Sequence, residues 1–145
     1  MSAHLENRAF DHYLGTMAGV RGFADPNVHY NGEHPVWDQV TNSSLTNATD
    51  YVHPWYLNYL GGNWTDATQC MTAGDNGWTA NQLAFNGGAN DHWAVNNTPW
   101  SIGFYQRKDL PVHFTLADEW IVGDMYQVCR VVALSSVRTR TVDSC

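Results

Sequence analysis

Four stretches of this chain bring together residue types that do chemistry. In ENRAFDH, Glu6 and Asn7 offer hard oxygen ligands suited to a divalent cation. The residues after them predict a helix, whose N-terminal N–H groups favour an anion. A cation beside a helix N-terminus makes a phosphate site. On spacing alone the plainer reading has the stronger claim: Glu6 complements the helix dipole. In GVRGFADP, Arg21 has the planar guanidinium that clamps a phosphate through paired hydrogen bonds, while Gly19, Gly22 and Asp25-Pro26 equally read as turn chemistry. In NGGANDHWAVNNTPW, Gly87-Gly88 permit close backbone approach. Asn90, Asp91 and His92 follow with polar groups, and Trp93 and Trp100 offer pocket walls. The competing reading is a helix that ends at Gly-Gly with aromatics packed on it. His113 sits beside the apolar stripe of a predicted helix, where a lone histidine is more often a packing residue than a catalyst. His29, His34 and His53 are loop histidines with no ligand spacing to tie them together.

The elements that must position these groups are short. A helix is predicted over about 8–14, stopped by Gly15. Residues 16–75 are mostly loop by their Gly, Pro, Asn and Thr content. NGWTANQLAFNGG predicts a short helix ending at Gly87-Gly88. KDLPVHFTLADEWI predicts another, with Asp109 as N-cap and Pro111 in the first turn. Leu110, Phe114, Ala117 and Ile121 would line its buried face. VGDMYQV reads as the start of a buried strand. Helices with sparse strands make the class α/β, with a central sheet left incomplete.

The 145 residues suffice for one domain, and 43% hydrophobic against 14% charged residues excludes a disordered chain. The net charge of −7 argues against a nucleic-acid partner, which would demand Lys and Arg. No apolar run approaches membrane-spanning length. Three cysteines, Cys70, Cys129 and Cys145, allow one pair and a spare, or three free thiols. The first residues have no signal-peptide pattern. Four N-x-[S/T] triplets, at Asn42, Asn47, Asn63 and Asn96, read as glycosylation acceptors if the chain enters a secretory pathway. Composition changes near Gln127. Residues 1–127 have a net charge of −9 and contain every aromatic; residues 128–145 have a net charge of +2 and no aromatic, Gly or Pro. The chain therefore divides into a body, 1–127, and a divergent tail, 128–145.

In order along the body, ENRAFDHYLGTMAGVRGFADPNV, PVWDQV, HPWYLN, GGNWTDATQCM, NGGANDHWA and NTPWSIGFYQRKDLPVHFTLADEWIVGDMYQ together resemble the phosphoesterase family, which contains secreted fungal and bacterial phospholipases C and related acid phosphatases. The likeness covers roughly residues 5–127. It implies the N-terminal part of an alkaline-phosphatase-like α/β fold, loop-rich, and metal-assisted hydrolysis of a phospholipid or a small phosphoester. It carries the metal-binding Glu-Asn pair, which follows the family's first strand, onto Glu6 and Asn7. The family's helper histidines fall in regions matching 81–92 and the helix of His113, which makes His92 and His113 the candidate catalytic residues. Many relatives have a histidine shortly before the NGG turn, where this chain has Gln82. The resemblance also implies secretion for a full-length member.

This chain departs from the pattern after Gln127. The family's nucleophilic Thr or Ser precedes a Pro-Asn-Arg motif, and VCRVVALSSVRTRTVDSC contains none, so neither Ser135 nor Ser136 can be assigned. The expectation is an incomplete version of a longer hydrolase, whose tail reads as frame-shifted or non-coding sequence or as that of a short isoform. An inactive fragment is the alternative function. A small aromatic-rich carbohydrate-binding module is a third, disfavoured by the order of the motifs.

Overall fold

The computed structural model describes residues 9–59 and 74–124. Glu6, Asn7, the three cysteines, Asn63, Ser135, Ser136 and the tail lie outside these described residues. So does the GDMYQ stretch beyond Asp124.

Helix α1 (Phe10–Leu14) is followed by a hairpin of β1 (Tyr30–Asn31) and β2 (His34–Pro35). Its register pairs Tyr30 with Pro35 and Asn31 with His34. Gly32 takes a positive φ of 66° in its turn, a conformation that Asn-Gly sequences favour. β3 (Gln39–Val40) pairs antiparallel with β4 (Tyr51–Val52). β5 (Trp55–Tyr56) runs parallel to β6 (Gly103–Phe104), with Trp55 opposite Gly103. Between them lie α2 (Trp78–Phe85), α3 (Trp93–Asn96) and a short 3-10 turn, Pro99–Ile102. α4 (Pro111–Glu119) follows β6. The described part is thus a mixed, loop-rich arrangement of short helices and three two-stranded ladders, with no closed barrel among the described residues. No described helix is long and apolar enough to cross a membrane.

The parallel β5–β6 ladder is the structural centre. Leu57, fully buried beside it, donates its N–H to Phe104 O at 3.0 Å. A Cβ on Gly103 would lie 2.5 Å from Leu57 Cδ2, so any larger residue here must displace the buried Leu57 side chain. Ala84, Ala94 and Phe114 complete a small apolar core. Gln39 is a buried polar residue with every bond satisfied: its Nε2 donates to Val36 O (2.7 Å) and Asn90 O (2.9 Å), and its Oε1 accepts from Trp93 N (2.9 Å). It fastens β3 to the NGGANDHW turn.

Two local expectations are corrected. Leu110, not Asp109, occupies the N-cap of α4. The Asp109 carboxylate instead accepts from Gln106 N (2.9 Å), Tyr56 Oη (2.9 Å) and Asn58 Nδ2 (2.9 Å), tying β5 to the loop before α4. Ile121 lies beyond the helix end and is fully exposed, so the buried stripe reduces to Phe114 and its neighbours. Val112, Leu116 and Trp120, on another face, are exposed as well.

Candidate functional site

The GVRGF motif and the last residues of ENRAFDH, from Ala9 to His12, meet at one cleft. Phe23 N donates to Gly15 O at 2.8 Å, and a Cβ on Gly22 would strike that same carbonyl group, so the second glycine permits close packing of the turn on the end of α1. Gly19 takes a φ of 82° and reverses the chain. Both glycines are the turn chemistry that was one of the two readings of this motif. The turn they build projects Arg21 into the cleft, with half of its side chain exposed. Asp124 locks the turn from the far end of the body by accepting Arg21 N at 2.8 Å.

The cleft has a volume of about 400 Å³. Asp11 and His12 from α1 line it, with Arg21, Asp25, His29, Trp37, Gln39, Asn90 and Trp93. Asp25 lies 3.6 Å from the Arg21 guanidinium. The Asn27 backbone N–H, 2.8 Å from Asp25 Oδ1, is the main cause that holds this carboxyl below the usual range, helped by the Asn27 side chain and Arg21. Asp11 behaves in the opposite way. Part of it faces solvent, yet the cleft wall withdraws water from its carboxyl and raises its pKa. The two acids therefore differ: one is held as carboxylate, and the other takes up a proton more readily.

His12 is buried, 6% exposed. Its Nδ1 lies 2.7 Å from Gly103 O, and a carbonyl can only accept, so Nδ1 carries the proton. Its ring meets Tyr13 and Tyr105 edge-on at 5.3 and 5.0 Å. Sequence reasoning passed over His12 and Asp11. Their signal was adjacency, a DH pair four residues after the Glu-Asn pair.

Among the described residues expected to be catalytic or to clamp phosphate, Arg21 lines this cleft and His92 and His113 do not. His92 follows the NGG turn. Its Nε2 lies 3.4 Å from Asn86 Nδ2 and its Nδ1 3.3 Å from Asn96 Nδ2, contacts within the α2–α3 corner. His113 packs against Tyr13, with ring centroids 5.3 Å apart. Gly87 and Gly88 serve conformation rather than close approach. Both have positive φ, and nothing lies within 4 Å of where their Cβ atoms would stand. Trp93 walls the cleft, whereas Trp100 walls a separate shallow hollow with Trp55 and Tyr59. Nor does α1, five residues long, form a helix-terminal anion site.

The order of these motifs is matched elsewhere: residues 3–133 fit the Phosphoesterase family. The chain belongs to that family. Over 132 residues it is 34% identical to Phospholipase C A of Mycobacterium tuberculosis, covering 83% of this chain and 24% of that protein. Over 123 residues it is 31% identical to the Hemolytic phospholipase C of Pseudomonas aeruginosa, covering 83% of this chain and 15% of that protein. It is also 34% identical over 123 residues to the Non-hemolytic phospholipase C of Burkholderia pseudomallei, 16% of whose length is covered. The chain thus spans about a quarter or less of the length of these phosphoesterase relatives. Among the described residues no three His, Cys, Asp or Glu side chains are grouped to hold a metal ion.

Proposed function

We propose that this chain contributes the phosphate-recognition corner of a secreted phosphoester hydrolase of the phospholipase C type. The observation that carries the reading is the convergence of two family motifs on one cleft: Arg21 of GVRGF stands in the wall formed by Asp11 and His12, which follow Glu6-Asn7 by four and five residues. The Arg21 guanidinium donates paired N–H bonds to two phosphoryl oxygens of a phospholipid headgroup or a small phosphoester. Asp25, beside it, orients the guanidinium. Asp11 stands in the same wall, and burial, which raises its pKa, makes its negative charge easier to neutralise beside an anion. Asn90 and Gln39 fix the opposite wall. Glu6 and Asn7 are the ligands proposed for a divalent ion, which would supply charge neutralisation at the phosphoryl group. His92 and His113 are proposed to act in the hydrolase through polypeptide beyond the described residues. The nucleophile is not assigned.

Purified chain assayed on p-nitrophenyl phosphorylcholine and p-nitrophenyl phosphate, with and without chelator, tests this reading. Turnover that a chelator abolishes supports an active hydrolase. No turnover, together with retained phosphorylcholine binding at the cleft, supports the second reading, an inactive portion of such an enzyme. That second reading rests on the missing Pro-Asn-Arg motif after Gln127. No turnover and no binding would overturn both.

A further inference from the structure

The loop between β3 and β4 carries two of the four N-x-[S/T] triplets, five residues apart, at Asn42 and Asn47. We propose that this hairpin tip is an N-glycosylated surface, with Asn42 and Asn47 as acceptors, and that Asn96 stays bare.

Asn42 and Asn47 are both exposed, and nothing from 40 to 53 lines the cleft. At Asn42, both Ser44 N (3.0 Å) and the Ser44 hydroxyl donate to the side-chain Oδ1. The oxygen of this exposed residue is thereby engaged by the very serine that completes the triplet. Asn47 stands at the same tip, and its partner Thr49 turns its hydroxyl to the Tyr51 backbone, at 2.9 Å from the carbonyl oxygen. The tip holds a partly exposed Leu45 and no charged side chain from 41 to 49. A saccharide therefore covers apolar surface there without burying a charge.

Asn96 has the same motif and is exposed as well, but its amide is engaged within the fold. Its Nδ2 donates to Leu83 O at 3.1 Å and closes the α2–α3 corner. The Thr98 hydroxyl that completes the triplet is buried without a hydrogen-bond partner. Pro99 follows, confining Thr98 to extended backbone, which hinders the turn that brings hydroxyl and amide together.

The reaction consumes a lipid-linked oligosaccharide pyrophosphate. The bond from the sugar's anomeric carbon to the pyrophosphate oxygen breaks, its electron pair leaving with the pyrophosphate. A bond from that carbon to Nδ2 forms, and Nδ2 gives one proton to a base of the transferase.

The full chain, placed behind a cleavable secretory leader in yeast and carrying Asn63→Gln, tests the assignment by gel mobility with and without peptide N-glycosidase. Total cell extract is used, so that a variant retained inside the cell is still read. Two glycans are expected. Asn42→Gln and Asn47→Gln should each remove one step of the shift, and Asn96→Gln none. Peptide mass spectrometry after deglycosylation in heavy-oxygen water should mark positions 42 and 47 alone. An unchanged pattern in either hairpin variant, or a mark at position 96, would overturn the proposal. The assignment rests on the secreted reading proposed above, but neither result bears on hydrolysis, so the two tests fail separately.

Discussion

His12 Nδ1 and Gly103 O lie 2.7 Å apart across 91 residues of sequence. The same pair of segments is joined again where Tyr105 N donates to His12 O at 2.9 Å. The imidazole thus fastens α1, which carries Asp11 of the cleft, to β6, one strand of the two-stranded parallel ladder. Its proton position is set by that carbonyl, a common device for orienting a histidine ring.

Replacing His12 with Ala should strip a buried ring from this junction and orphan the Gly103 carbonyl. The expected loss is about 2–4 kcal/mol of unfolding free energy. Urea unfolding followed by tryptophan fluorescence measures it. A loss under about 0.5 kcal/mol, the range of ordinary surface changes, would remove the junction from the account.

Gly103→Ala places a methyl group against Leu57 in the same ladder. Overpacking of this kind costs about 1–3 kcal/mol. A thermal midpoint unchanged from the parent chain would show that the strands separate more easily than their geometry indicates.

Burial works against the Asp109 charge, but the bonds from Asn58, the Gln106 N–H and Tyr56 outweigh it and hold the carboxyl below its usual value. A depressed folded-state pKa adds stability above the unfolded value near 3.8, and that stability disappears as pH falls through the lower folded value. Asp109→Asn should therefore cost stability at neutral pH, about 1–2 kcal/mol by the hydrogen bonds it weakens. The difference from the parent should shrink in acid. Unfolding curves at pH 7 and pH 3 decide it; a pH-independent difference would contradict the linkage.

Asp11 has the opposite sign. Its raised pKa means that the folded state pays for the carboxylate as pH rises from the unfolded value through the folded one. Asp11→Asn should raise the melting temperature at pH 7 and leave it unchanged well below pH 3.8. A lower melting temperature at pH 7 would indicate that the carboxylate makes a stabilising contact.

These residues also mark what was legible in the sequence. The helices at 78–85 and 111–119 were readable because Gly, Pro and Asn punctuate their ends. The α2 stop shifts by one residue: Asn86 takes the left-handed cap, and the glycines continue the turn. The parallel pairing of Trp55-Tyr56 with Gly103-Phe104 was not legible, because two-residue strands carry no periodicity and their partners lie far apart. Asp109 was misread for a related reason. Its place before Leu-Pro fits a helix cap, whereas its actual donors Tyr56 and Asn58 come from β5 and the turn after it. Arg21 was legible as a candidate phosphate clamp only through its motif, and Asp11 and His12 join it in one cleft wall only once the turn at Gly22 closes on Gly15.

The central claim is that Arg21 and α1 form the phosphate-recognition corner. A ¹H–¹⁵N titration of the chain with phosphorylcholine, in the parent and in Arg21→Ala, tests it most directly. The account predicts shifts at Asp11, His12, Arg21 and Gly22, with affinity falling about tenfold, roughly 1.4 kcal/mol, in the variant. Shifts confined to the Trp55–Trp100 hollow, or an affinity that Arg21→Ala leaves unchanged, would contradict it.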